Sequence, residues 1–223
     1  MKTAFVFGAT GLVGAHLVEL LVNDANYSLI KVFSRKKMNF ENKKIVEIIV
    51  NDYNNTETYA NEISEGAIFC SIGSTMKKAK TKENYRKIDH DIPLKIAQIA
   101  IQKNIPSYIY VSAIGADANS TNFYSHLKGE TEKSLQSVGL QNLAICRPSI
   151  LYGRRTEFRF GELIGKGIMK FFDLFMFGNL KKYRGIDAKK VAAAMIFLAN
   201  RKNEKTIFLS NELEEMGTKY LNN

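Results

Sequence analysis

Lys2-Thr3-Ala4-Phe5-Val6-Phe7-Gly8-Ala9-Thr10-Gly11-Leu12-Val13-Gly14 is the stretch that decides the fold. Its first half is apolar and rich in aromatic and β-branched residues, which predicts a buried strand ending at Gly8. Val13, Leu17 and Leu20 then recur at helical spacing, so a helix begins inside the glycine-rich turn. Such a turn is an anion site, because free backbone N–H groups and the positive end of the helix dipole point into it.

The three glycines have the spacing G-x-x-G-x-x-G, one residue longer in its first half than the usual dinucleotide fingerprint. Gly8 allows a sharp turn off the strand, Gly11 a close approach of pyrophosphate, and Gly14 close packing of helix on sheet. Ala15 and His16 follow in place of the Lys-Ser/Thr pair of a nucleoside triphosphate loop. The turn therefore predicts a dinucleotide site, which comprises Gly8, Thr10, Gly11, Leu12, Val13 and Gly14.

The composition indicates one globular domain over residues 1–223, long enough to bury a full core. The net charge of +10 comes from short, scattered basic groups without interleaved aromatics, so surface charge is favoured over specific nucleic-acid binding. No apolar run approaches the length of a membrane span, and no signal-peptide pattern opens the chain. Cys70 and Cys146 stand alone without metal-ligand spacing, which indicates buried, reduced thiols. We therefore expect a cytoplasmic protein without a metal.

A second strand is expected over residues 28–33, and Ser34, Arg35 and Lys36 follow it. An acidic residue near this position would hold the ribose 2′-hydroxyl of NAD, whereas an arginine suits the 2′-phosphate of NADP. Arg35 can contact a phosphate bidentately, with Ser34 and Lys36 beside it. For a nicotinamide dinucleotide, this arrangement predicts a preference for NADP(H), with NAD(H) left open and a solvated basic loop as the alternative.

Further strands are expected over residues 45–50, 66–71, 107–112, 143–146 and 207–209. Apolar strands alternating with helical patterns predict an α/β fold, a Rossmann-like doubly wound parallel sheet with helices on both faces and a small C-terminal lobe. Such sheets bind ligands outside the carboxyl ends of their strands. Gly73 follows the fourth strand and is therefore a further cofactor-binding candidate.

Ser112 lies at the end of the expected fifth strand, and Tyr124 and Lys128 follow with the spacing Y-x-x-x-K. On a helix, positions i and i+4 put the phenol and the ammonium on one face. A neighbouring ammonium favours the phenolate and draws the tyrosine pKa towards the working range of an acid or base. A serine hydroxyl can polarise a carbonyl as hydride arrives. The three residues predict catalysis on a small carbonyl or alcohol, although an isolated Y-x-x-x-K is commonly a surface pair.

These residues resemble the short-chain dehydrogenase/reductase superfamily in its atypical, extended branch, and most closely the Tat-interacting-protein-like oxidoreductases. The resemblance covers most of residues 1–155 and is carried by the glycine turn and by residues 69–75, 111–117, 128–130 and 147–153. It implies a nicotinamide cofactor whose ribose Lys128 holds, whose adenine Asp52 reaches, and whose nicotinamide lies beside Pro148 and Ile150. A plain turn is the alternative for Asp52. Ala113 stands where many relatives have a second serine.

The last third of the chain is less informative. Residues 154–185 are expected to form a substrate-side helical segment, and the Phe-rich stretch 171–177 fits core packing, a pocket lid, a membrane contact or the face of a homodimer. The atypical relatives leave a second function open, an NADP(H)-binding regulatory or redox-sensing protein with little turnover.

Overall fold

A parallel sheet forms the centre of the protein, for which a computed structural model describes residues 1–153 and 178–222. The strands are β1 (Lys2–Phe7), β2 (Tyr27–Ser34), β3 (Ile45–Ile49), β4 (Gly66–Cys70), β5 (Ser107–Val111), β6 (Leu143–Arg147), β7 (Leu151–Tyr152), β8 (Ile186–Asp187) and β9 (Ile207–Leu209). Seven of them pair in the order β3-β2-β1-β4-β5-β6-β9, all parallel, while β7 and β8 pair with each other.

Helices connect the strands across both faces of the sheet. They are α1 (Leu12–Asn23), α2 (Met76–Ala79), α3 (Lys82–Arg86), α4 (Ile92–Gln102), α5 (Phe123–Ser137), α6 (Ala188–Ala199) and α7 (Ser210–Leu221). Residues 87–91 form a π-helical turn that joins α3 to α4 without a break. Short 3₁₀ turns lie at Thr56–Thr58, Ala60–Glu62 and Gly178–Tyr183.

The core is divided between the two faces because successive side chains of a strand point in opposite directions. On β1, Ala4 and Val6 pack into one apolar cluster with residues of α1 and α6. Phe5 and Phe7 pack into the other cluster, which includes residues of α4. This arrangement confirms the predicted doubly wound sheet, and its seven strands differ from the predicted ones by at most one residue at either end, whereas β7 and β8 were not predicted.

The start of α4 differs from what its sequence predicts. Asp91 and Pro93 are typical of a cap and a first helical turn, but the Asp91 backbone is helical and its side chain makes no capping bond, because the π turn continues the chain from α3. The sequence favours a solvated or cap-adjacent His90; the residue is buried, with its ring nitrogens 2.8 Å from an Asp91 oxygen and 3.1 Å from the Ser134 hydroxyl. Pro93 does occupy the first turn.

The expectations for residues 154–177, including the Phe-rich stretch, lie outside the described residues. Of the predicted segment 154–185, the described part is residues 178–185, and it contains the 3₁₀ turn Gly178–Tyr183. Within the two described ranges, no helix combines the length and the apolar character needed to cross a membrane.

Candidate functional site

The glycine-rich turn joins β1 to α1 with very little space around it. Gly8 has a φ of +93°, and a Cβ built on it would lie 2.7 Å from the Ser71 carbonyl carbon. A Cβ on Gly14 would lie 2.1 Å from the Gly8 carbonyl oxygen, so the helix can approach the turn this closely only with glycine there. The Gly11 amide donates to the same oxygen at 2.9 Å. The turn is therefore rigid and brings the start of α1 directly to the end of β1.

The N-terminus of α1 is suited to an anion. Gly11 is the N-cap residue, and no side chain of the described residues caps this helix end. A Cβ on Gly11 would meet only the Gly8 carbonyl oxygen among the described residues, at 3.2 Å. The amides of Leu12 and Val13, in the first turn, have no intrahelical acceptor. This uncapped helix end fits the pyrophosphate of a dinucleotide, as the sequence predicts for these residues.

The end of β2 supplies the two cations that are predicted to contact the 2′-phosphate on the cofactor ribose. Arg35 and Lys36 are exposed, whereas Ser34 is buried and its hydroxyl donates to the Lys36 carbonyl oxygen at 2.6 Å. The Ser34 side chain therefore shapes the loop that presents the two cations. Glu47 of β3 holds the following residues by accepting from the amides of Met38 and Phe40.

Asp52 lies in a turn after β3 and is fully exposed. Its carboxylate accepts from the backbone amide of Asn54 at 2.8 Å and from the Asn54 side chain at 2.9 Å. The bond from the Asn54 amide holds the pKa of Asp52 below its usual range. This geometry is that of an Asx turn, and the adenine contact stays a prediction.

Tyr124 and Lys128 lie one helical turn apart on α5, as the spacing predicts. Asn122 caps this helix by accepting from the amides of Tyr124 and Ser125. Tyr124 is partly buried, whereas Lys128 is only 2% exposed. The Lys128 ammonium donates to the Tyr110 hydroxyl at 2.8 Å. The sequence did not predict this hydrogen-bond partner of Lys128.

Asp89 is the buried counter-ion of Lys128. It is fully buried in the π turn, and its Oδ1 lies 3.5 Å from the Lys128 ammonium. Its other oxygen accepts from the Ser74 amide at 2.6 Å. Burial alone would lower the pKa of Lys128, but Tyr110, Asp89 and Tyr124 together raise it above its usual value. Lys128 is therefore held in its charged form.

The sequence prediction missed both Asp89 and Tyr110. Asp89 did carry a signal, because Tyr85, Asp89 and Ile92 follow one another at helical spacing and all three are buried. An aspartate on an apolar helix face needs a buried partner. Tyr110 carried no such signal, since an aromatic residue in a buried strand is ordinary core.

Ser112 is buried, and its hydroxyl proton is donated to the carboxylate of Glu132. Arg147, at the end of β6, holds the same carboxylate through its Nε at 2.9 and 3.1 Å. The three residues thus join β5, α5 and β6 in one buried network. In this arrangement the Ser112 proton is not directed to a substrate carbonyl, and the carbonyl-orienting role stays a prediction.

The remaining predicted residues follow β4 and β6, two strands that flank β5 and end at the same edge of the sheet. Gly73 follows β4, and Pro148 and Ile150 follow β6. The Ile114 amide donates to the Pro148 carbonyl oxygen, and the Ile186 amide to that of Ile150, both at 2.9 Å. The structure therefore brings the glycine turn, Tyr124, Lys128 and the loop after β6 to the carboxyl edge, where open α/β sheets bind ligands.

Close packing requires a glycine at position 129, in the sequence Lys128-Gly129-Glu130. A Cβ on Gly129 would lie 2.1 Å from the Ala118 amide nitrogen and 2.3 Å from the Asp117 carbonyl carbon. The loop after β5 is therefore packed directly on α5.

Among the described residues there is no group of three or more His, Cys, Asp or Glu that could hold a metal ion.

Comparisons with known proteins agree with this geometry. A family model described as NAD(P)H-binding matches residues 8–160. The protein named fmp52, mitochondrial, of Emericella nidulans is 31% identical over 175 residues, 74% of each chain. Protein HTATIP2 of Rattus norvegicus is 29% identical over 174 residues, 77% of this chain and 70% of the rat protein. The structure of UDP-glucose 4-epimerase from Thermotoga maritima has a TM-score of 0.66 at 18% identity, covering 97% of this chain and 82% of its own, and shares the fold.

The comparisons contradict the expected cytoplasmic location. The relatives from Emericella nidulans, Debaryomyces hansenii and Eremothecium gossypii are all named mitochondrial. The expectation rested on unpaired cysteines and on the lack of a signal-peptide pattern. Neither observation distinguishes the cytoplasm from another reducing compartment, which is why the inference failed.

Proposed function

Since this chain belongs to the NAD(P)H-binding family whose model matches residues 8–160, we propose that it is an NADP(H)-dependent oxidoreductase acting on a small carbonyl or alcohol. The relationship to protein HTATIP2, together with the epimerase-like fold, confirms the resemblance to the atypical short-chain dehydrogenases. The hydride-transfer chemistry and the preference for NADP(H) are our proposals.

One observation carries the proposal: a buried, charged lysine lies one helical turn from Tyr124 at the carboxyl edge of the sheet. In the reducing direction the Tyr124 hydroxyl gives its proton to the substrate oxygen, and in the oxidising direction it takes the proton back. Lys128 places a fixed positive charge one helical turn from the group that makes this exchange. The nicotinamide, when bound, supplies or accepts the hydride.

The residues of the glycine turn support cofactor binding, because they offer an uncapped helix end to the pyrophosphate. Arg35 supports the preference for NADP(H), because an exposed guanidinium can hold a 2′-phosphate through two parallel hydrogen bonds. In this proposal the exposed Lys36 adds a second charge, and the buried Ser34 keeps the loop in shape.

A thermal-shift titration with NADPH and NADH tests cofactor binding, since a ligand of the native state raises Tm as its concentration passes Kd. We expect a larger shift with NADPH and loss of that difference in Arg35→Gln. Lys103→Gln, an exposed lysine at the far end of α4, is the matched control. A larger shift with NADH would contradict the NADP(H) preference.

Tyr124→Phe tests catalysis separately from binding. We expect this variant to bind NADPH like the wild type and to lose turnover by at least about a hundredfold, the usual contribution of a general acid or base. Turnover is followed by NADPH absorbance across a panel of aldehydes and ketones. Undiminished turnover in the variant would remove Tyr124 from the mechanism. NADPH binding without any turnover in the wild type would favour the redox-sensing function.

A further inference from the structure

Residues 76–87, the basic segment, follow β4 and carry six cationic side chains against one carboxylate, that of Glu83. The cations are exposed, and they comprise Lys77, Lys78, Lys80, Lys82, Arg86 and Lys87. Most of the positive charge of this stretch is therefore not neutralised within it.

The basic segment is packed beside the candidate catalytic residue. Ala79, Tyr85 and Leu127 form a small buried cluster, against which Phe123 and Tyr124 pack. The ring of Tyr85 meets the ring of Tyr124 edge-on with centroids 6.4 Å apart. The Tyr85 hydroxyl donates to the Ser74 carbonyl oxygen at 3.0 Å, which anchors the segment next to Asp89. Its position relative to α5 is therefore fixed.

Two contacts connect the charges to the same helix. Arg86 pairs with Glu130 at 2.6 Å, and this contact uses one of the six cations. The Lys82 ammonium lies 5.4 Å from the centroid of the Phe123 ring, the residue before Tyr124. Even if Glu83 neutralises a second cation and a partner of Lys78 a third, three cations remain, so the segment keeps a net positive charge beside α5.

This field is separate from the cations assigned to the cofactor. Arg35 follows β2, whereas Tyr124 follows β5, and β1 and β4 lie between these strands. At about 4.8 Å between neighbouring strands, the two regions are roughly 14 Å apart. The basic segment therefore lies where the reacting end of the cofactor and the substrate are expected in the proposed function. A cleft lined by one sign of charge concentrates ligands of the opposite sign.

We propose that the substrate carries an anionic group, a carboxylate or a phosphate, which Lys82 and its neighbours in the basic segment bind while the carbonyl faces Tyr124. This inference rests on the proposed function for the position of the carbonyl. It adds the chemical class of the substrate, which neither the glycine turn nor the Tyr124–Lys128 pair specifies.

The test compares three aldehydes of similar shape: 4-carboxybenzaldehyde, 4-formylphenyl phosphate and the neutral 4-nitrobenzaldehyde. Binding is measured by ligand-observed NMR on the protein with NADP⁺, a complex in which no aldehyde is reduced. We expect at least one anionic aldehyde to bind more tightly than the neutral one. The affinity advantage of the anionic aldehyde should fall about threefold or more in Lys82→Gln, as expected for the loss of one ion pair. It should fall further in the Lys80→Gln/Lys82→Gln variant and stay unchanged in Lys103→Gln.

The carboxylate and phosphate arms identify which anion is preferred, and raising the salt concentration should reduce the preference through screening. Equal binding of charged and neutral aldehydes, or no binding of either anion at millimolar concentration, would overturn the inference. A loss of NADPH affinity in Lys82→Gln with an unchanged aldehyde ratio would overturn it as well, by assigning the lysine to the cofactor. Because binding is read without turnover, failure of the proposed hydride transfer would leave this result interpretable.

Discussion

At the scale of single residues, Lys128 owes its charge to partners from distant parts of the chain. Asp89 comes from the π turn and Tyr110 from β5, and both are fully buried. A buried ion pair adds little net stability, but removal of one partner leaves an uncompensated charge. The pair is therefore better understood as a device that fixes one protonation state beside Tyr124.

This account predicts strong coupling between the two charges. Asp89→Asn should lower the free energy of unfolding by about 3–5 kcal/mol, because the buried ammonium loses its counter-ion. The double variant Asp89→Asn/Lys128→Met should recover at least half of that loss, since neither charge remains. Urea unfolding of the wild type, of Asp89→Asn, of Lys128→Met and of the double variant gives the double-mutant cycle for this pair. Simple addition of the two losses would contradict the ion pair.

Ser112 requires a different experiment, because its structural and catalytic roles predict different losses. Ser112→Ala removes a hydrogen bond to the buried Glu132 carboxylate and should lower the free energy of unfolding by roughly 1.5–3 kcal/mol. Arg147 still holds Glu132, so the fold should survive. An unchanged stability would contradict this bond. A loss of kcat of about a hundredfold at saturating cofactor, beyond the stability effect, would add the carbonyl-orienting role predicted from the sequence.

At the scale of elements, the basic segment and α5 are joined by an ion pair that responds to pH. The hydrogen bond from Arg86 holds the pKa of Glu130 below its usual range, and the charges of Arg86 and His126 act in the same direction. A carboxyl group with a depressed folded-state pKa contributes stability above its unfolded pKa. That contribution is lost as the pH falls through the lower, folded value.

The expected observation is a pH-dependent difference between wild type and Glu130→Gln. The wild type should have the higher Tm from neutral pH down to about 4.3, the ordinary glutamate pKa, and the difference should shrink below it. Glu204→Gln, at an exposed carboxylate, is the control and should show no comparable pH dependence. A difference that persists undiminished at pH 2 would exclude the ion pair as its source.

The strand-level prediction succeeded where local pattern and global fold agree. The run before Gly8 is buried throughout its second half, and the spacing of Tyr124 and Lys128 is realised on one helix. The π turn had no comparable signal, because Asp91 and Pro93 form an ordinary helix start in sequence. In the structure the helix continues through this position, and Asp89 lies there 3.5 Å from the Lys128 ammonium.

At the scale of the whole molecule, the candidate site depends on contacts that no local pattern encodes. Ser112 reaches Glu132 across 20 residues and Asp89 reaches Ser74 across 15, and each contact exists because parallel strands end at one edge. The sequence could therefore predict where the site lies and which motifs enter it. It could not predict which hydroxyl groups and charged groups are hydrogen-bonded or ion-paired with other residues inside the protein.

The short pairing of β7 with β8 has a consequence for how such a protein can change. Leu151 pairs with Ile186 and Tyr152 with Asp187, so two short strands far apart in the sequence are neighbours in space. The entropy of closing a loop grows only with the logarithm of its length, so each doubling costs about 0.6 kcal/mol. In terms of chain entropy alone, an insertion between these two strands should therefore destabilise the protein only slightly.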